Sequence, residues 1–117
     1  MLFFPVANAF CSAEGTFEQM LACAKSMMDT ASALQAEIDG TPVQFLELYR
    51  TQSPNFTLRL PDGNIFGAPA GSYEPTASDG VFLMLTPLRP GSHVIHFHAE
   101  FPGQQIVDVT YVVTVGQ

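Results

Sequence analysis

From Val81 to Val115 the chain runs as three short segments of alternating apolar and polar residues, interrupted at Pro90-Gly91 and Pro102-Gly103. Alternation puts successive side chains on opposite faces of extended backbone, and Pro-Gly pairs end such runs. This third of the chain therefore predicts an antiparallel meander of Val81–Leu85, His93–His98 and a last strand from Gln105 to Val115. In the last strand Val107, Val109, Tyr111, Val113 and Val115 share one face, while Asp108, Thr110 and Thr114 share the other. An apolar row of that kind requires a facing layer to cover it.

The rest of the chain supplies the partners for that layer. Residues 2 to 9 read as a strand ending near Asn8. Thr16-Phe17-Glu18-Gln19 fits a capping box, followed by Phe17, Met20, Leu21, Ala24 and Met28 at helical spacing, so a helix is expected to run to about Thr30–Ser32. That stripe is expected to pack on a sheet. Leu34, Ala36 and Ile38 alternate with polar residues, Asp39-Gly40 supplies a tight turn, and Val43–Tyr49 reads as the return strand. After Pro54, Phe56–Leu60 is a further strand. Pro61–Gly80, rich in Gly, Pro, Ala and Ser, reads as a long loop that is either functional, meeting a ligand there or at an exposed sheet edge, or carries a short strand at Asn64–Phe66. Six or seven strands and one helix give a mainly β (α+β) fold. The expectation is a single domain over residues 1–117: an antiparallel, immunoglobulin-like β-sandwich with one amphipathic helix near its start.

Composition narrows the function. At 47% hydrophobic and 13% charged, a 117-residue chain has enough apolar area to form one core rather than remain disordered. The net charge of −7 comes from eleven acids against Lys25, Arg50, Arg59 and Arg89, which are scattered. Binding a phosphate backbone or an anionic lipid surface needs clustered cations, so neither nucleic acid nor membrane is an expected partner. No apolar run reaches the ~18 residues of a bilayer span. Leu2-Phe3-Phe4-Pro5-Val6 has no basic residue before it and ends too soon for a secretory signal.

The motifs that carry chemistry are few. In Ser92–His98 a strand places His96 and His98 on one face with Val94, and His93 on the other with Ile95 and Phe97. Two imidazoles at i and i+2 can hold a transition metal if a neighbouring strand adds a third ligand, Asp108 or Glu100. The simpler reading of the pair is a solvent-facing strand. There is no G-x-S-x-G elbow, no phosphate-cradling glycine loop and no complete calcium loop around Asp62-Gly63-Asn64, so an enzyme is disfavoured and no cofactor is expected. Asp39 and Asp79, each followed by glycine, read as turn residues. Cys11 and Cys23, twelve positions apart, admit either one disulfide or two buried thiols.

Several stretches, taken together, carry a resemblance. They are Leu2–Val6, Tyr49-Arg50-Thr51-Gln52-Ser53-Pro54, Asn64-Ile65-Phe66-Gly67, Ala77-Ser78-Asp79-Gly80, Pro87–Phe97 and Asp108-Val109-Thr110-Tyr111. Together they resemble a family of uncharacterised, mostly bacterial proteins that carry an export signal and a DGY…L.PL.PGxHTIHF…DVTY core. The resemblance implies a secreted or periplasmic β-rich domain with a Cys11–Cys23 disulfide, and it brings no established activity. Members of that family have a further segment upstream of Phe-Phe-Pro. If Met1 is the start, a sheet edge is left open, and a homodimer through an edge strand is expected. The family has a small residue where His98 stands, so the His96/His98 pair is not among its shared features. The expected function is a non-enzymatic binding or structural module, with a small metal-binding protein or metal-dependent enzyme using His96, His98 and Asp108 as the alternative.

Overall fold

The computed structural model describes residues 1–103 and 106–117. Two antiparallel four-stranded sheets pack face to face, and one helix covers part of the first, giving a β-sandwich. In the first sheet the long strand β6 (Gly71–Leu85) lies in the middle. β1 (Leu2–Ser12) runs along one side of it, and β4 (Arg50–Gln52) and β5 (Phe56–Leu60) along the other. In the second sheet the order is β3 (Thr41–Pro42), β2 (Ala33–Ile38), β7 (Gly91–Glu100) and β8 (Ile106–Val115).

The core lies where the two inner faces meet. Phe4, Val6, Val81 and Leu83 from the first sheet face Ala36, Ile95, Phe97 and Ala99 from the second, all buried. The Phe4 and Phe97 rings stack 5.4 Å apart and join the layers. The inward and outward rows of β7 and β8 follow the alternation in the sequence. Val107, Val109 and Val113 pack on the core and Tyr111 lies against Phe97 at 5.7 Å, whereas Asp108 and Thr110 are exposed.

Helix α1 (Phe17–Asp29) begins as its capping box requires. Thr16 Oγ1 accepts from the Gln19 amide at 3.2 Å, and Gln19 Oε1 accepts from the Thr16 amide at 2.8 Å. Met20, Ala24 and Met28 are its buried stripe, packed on β1 and β6. A Cys11–Cys23 disulfide with Cα atoms 6.1 Å apart fastens the end of β1 to the helix. Neither cysteine is a free thiol. No helix among the described residues is long and apolar enough to cross a membrane.

The structure differs from expectation in several places, first in the meander: Val81–Leu85 ends β6 in the first sheet and does not pair with β7, so only β7 and β8 are neighbours in the second. β1 continues to Ser12 rather than ending near Asn8, because β6 extends far enough to pair with all of it. The return strand expected over Val43–Tyr49 is only Thr41–Pro42. The Val43 amide still donates to Ala36, then Phe45 turns into the left-handed region (φ 58°) and Leu46–Tyr49 closes as a 3-10 turn. Pro42 stands opposite Glu37 at a non-hydrogen-bonded position, where its missing amide faces away from β2, so the ladder ends at the Phe45 turn. The second half of the expected Pro61–Gly80 loop is strand: Gly71–Gly80 belongs to β6, whose small residues fit between three neighbouring strands. Asn64–Phe66 is not a strand. It is a turn organised by Asn64, whose side chain donates to the Pro61 and Ala68 carbonyls and accepts from the Phe66 and Ala68 amides. The expected first residue of the last strand, Gln105, lies outside the described residues.

Asp79-Gly80 is likewise not a turn. Both residues lie buried within β6. A Cβ on Gly80 would come within 2.6 Å of Asn8 Cβ and 2.8 Å of the Ala7 carbonyl oxygen, so only glycine permits β1 to pass this close. The pairing register of β1 shifts between Pro5 and Ala7, just before that approach.

Candidate functional site

Three groups of polar side chains stand out, the first two built on residues that the sequence singles out. On the outer face of the second sheet, β7 and β8 place His98 directly opposite Asp108, with His96 one outward position along. His96 Nε2 lies 2.8 Å from Asp108 Oδ1, and His98 Nδ1 lies 3.0 Å from Asp108 Oδ2. Glu100 Oε2 is 3.1 Å from the other ring nitrogen of His98, and Glu37 on β2 is 3.9 Å from His96 Nδ1. The expected trio of His96, His98 and Asp108 is thus brought together, with Glu100 beside it.

Its chemistry is that of a charge-assisted hydrogen-bond cluster. Both ring nitrogens of His98 face carboxylate oxygens, which only accept, so the imidazolium form satisfies both bonds. Glu100 first and Asp108 second raise the His98 pKa above its usual value. His96 and then His98 hold the Asp108 carboxyl below the usual carboxylate range. The two imidazoles approach different oxygens of one carboxylate rather than a common point. Among the described residues no group of three or more His, Cys, Asp and Glu side chains is placed to hold a metal ion.

His93 belongs to a second group. Its Nδ1 lies 2.7 Å from Asp39 Oδ2 and its Nε2 lies 2.7 Å from the Arg89 carbonyl oxygen. Asp39 also accepts from the Val94 amide at 2.8 Å. The turn residue Asp39, with φ 52° beside Gly40 at φ 79°, thereby ties the β2–β3 hairpin to β7. Again both imidazole nitrogens meet acceptors. The bond to Asp39, and then that to Arg89, raises the His93 pKa, and His93 lowers that of Asp39.

The third group was missed by the sequence reading. Asp79, with its side chain 1% exposed, accepts from Arg50 Nε at 2.9 Å and Nη2 at 2.7 Å. Arg50 also donates to Asp29 Oδ1 at 2.7 Å and to the Lys25 carbonyl at 3.2 Å. This guanidinium is held firmly protonated, by Asp79 above all. It joins β4 and β6 to the last turn of α1, where Lys25 and Asp29 form a further ion pair at 2.8 Å. Its fork is filled by protein groups, so it fixes the helix on the sheet. No signal local to Arg50 or Asp79 predicts this pairing, because they lie 29 positions apart.

The remaining feature is apolar. Between the β1 edge of the first sheet and the β8 edge of the second, the sandwich opens into a cavity of about 330 Å³. Val6, Met27, Phe97, Phe101, Val107 and Tyr111 are among its lining residues. Tyr111 is 48% exposed although it stands on the core face. β8 is hydrogen-bonded only to β7 among the described residues, and its other side is free. Neither a family model, nor a curated protein, nor a solved structure matches this chain.

Proposed function

We propose that this protein is a non-enzymatic binding module, an immunoglobulin-like sandwich of exported type. Its recognition surface is the apolar mouth together with the free β8 edge. The observation that carries this reading is the open mouth itself: an apolar hollow between two unpaired sheet edges, lined by aromatic and aliphatic side chains. Such a site suits an extended apolar segment, added as a strand through backbone hydrogen bonds with alternate side chains entering the mouth. The Cys11–Cys23 disulfide fits an oxidising compartment, and the resemblance of Pro87–Phe97 to exported proteins points the same way.

The probe for the mouth is 1-anilinonaphthalene-8-sulfonate. Its emission is expected to rise on titration with the oxidised wild-type protein and to fall by several-fold with Val107→Asp, with unchanged circular dichroism. Equal emission from both proteins would remove the mouth as the recognition surface.

A divalent transition metal at His96, His98 and Asp108 is a second reading. The observation in its favour is the gathering of these three groups on an exposed face. Binding there requires both rings to turn away from the Asp108 carboxylate and His98 to give up the proton that Glu100 and Asp108 hold on it. Zinc titration of wild type against His96→Ala decides it: no uptake, or uptake unchanged in the variant, ends that reading.

A further inference from the structure

We propose that a second copy of this chain is the occupant of the β8 edge. The two β8 strands pair antiparallel about a two-fold axis at Tyr111, joining two four-stranded sheets into one. This inference rests on the reading of the mouth and the β8 edge as the recognition surface, and it names the partner.

The composition of β8 argues for self-pairing. Its core-face row of Val107, Val109, Tyr111, Val113 and Val115 is symmetric about Tyr111. Centred there, Val107 meets Val115 of the partner, Val109 meets Val113, and Tyr111 meets itself. Every core-face residue thus faces an apolar neighbour on the same side of the sheet. Asp108, the one charged residue in Ile106–Val115, falls opposite Thr114 of the partner. The pairing therefore sets no like charges against each other, although the chain as a whole carries −7.

The features that protect other edges are missing from β8. β1, the edge of the first sheet, carries Pro5 and a shift in register, both of which hinder strand addition. β8 is ten residues long, regular along its whole register with β7, and free of proline and lysine. It leaves Ile106 66% and Val112 73% exposed. A second β8 laid alongside would extend the half-covered row that walls the mouth and bring the two Tyr111 rings together.

The test uses the full, oxidised chain. Light scattering over a concentration series is expected to show the mass doubling as concentration rises, and Tyr111→Lys, which sets two cations face to face, is expected to remain monomeric. Should Tyr111→Lys fail to fold, the pair Thr110→Lys and Val112→Lys places lysines opposite each other on the outer face and is expected to give the same loss. Register is read by cross-linking. Paired Cβ atoms across a ladder lie about 5 Å apart, so Tyr111→Cys is expected to form an intermolecular disulfide. The two Ile106 positions would be about 34 Å apart, so Ile106→Cys is not. A monomer at every concentration, a dimer untouched by the lysine variants, or cross-linking through Ile106→Cys overturns the proposal. Dye binding by a strictly monomeric protein would refute the second copy while leaving the mouth as a binding site.

Discussion

At the scale of single residues, the arrangement depends on groups whose charge or size cannot change without cost. Asp79 is the sharpest case. Its buried carboxylate receives two bonds from Arg50, so Asp79→Asn leaves a guanidinium facing a neutral amide within the first sheet. Removing one partner of a buried pair costs ~3–5 kcal/mol. Arg50 keeps Asp29 and some contact with solvent, so a loss of about 2 kcal/mol is expected, checked as a lower urea midpoint at unchanged slope. Gly80→Ala drives a methyl group into Asn8 and the Ala7 carbonyl, and about 1–3 kcal/mol is expected by the same measurement.

His93 sets a pH dependence with a definite sign. Its folded pKa is raised above 6.5, so the stability it contributes is complete below 6.5 and is lost as pH rises through the folded value. Asp39 is shifted down from 3.8, so its part is complete above 3.8 and is lost as pH falls through the lowered value. The hairpin clamp is therefore strongest between those limits, in mildly acid solution. Urea midpoints are expected to fall from pH 6 to 9 in the wild type and to fall less in His93→Gln. Parallel profiles would show that the pair contributes nothing to stability.

At the scale of elements, α1 is held by its cap, its disulfide and the Arg50 network. Thr16→Ala removes one half of the capping box and is expected to cost about 1 kcal/mol. Reduction of Cys11–Cys23 frees a closed loop of twelve positions, for which chain entropy gives about 3 kcal/mol. Denaturation with and without reductant measures that difference, and thiol counting before reduction is expected to find none. The cap was legible in the sequence because Thr16 and Gln19 act on each other over three positions. β7 and β8 were legible for a similar reason, since alternation over neighbouring residues fixes which side is apolar. β6 was not legible as one strand. Its first half is mostly Gly, Pro, Ser and Ala, with Thr76 its one β-branched residue, and it is extended because β1 and β5 supply partners on both sides.

At the scale of the whole molecule, the two sheets meet chiefly through aromatic and branched side chains, with Phe97 central. It stacks on Phe4 across the layers, meets Tyr111 of its own sheet at a tilted angle, and forms part of the mouth. Phe97→Ala is expected to cost about 3–5 kcal/mol in chemical denaturation. It should also widen the cavity, so 1-anilinonaphthalene-8-sulfonate emission should change while the outer His96–Asp108–His98 cluster keeps its bonds. Independence of the two faces follows from the pleat, which sends adjacent side chains of β7 to opposite sides.

The sequence by itself determined what nearest neighbours along the chain can determine: the β class, the helix and its first turn, the Asp39-Gly40 hairpin, and the side of β7 and β8 that would be buried. It also brought His96, His98 and Asp108 within reach as candidates, because i, i+2 spacing and a facing strand are local facts. Only the tertiary structure decided that Asp79 is an interior ion-pair partner, that Gly80 is a point of close passage, and that the sandwich opens between β1 and β8. Those features depend on which distant segments lie side by side. That is set by the packing of whole faces, which no single stretch of residues encodes.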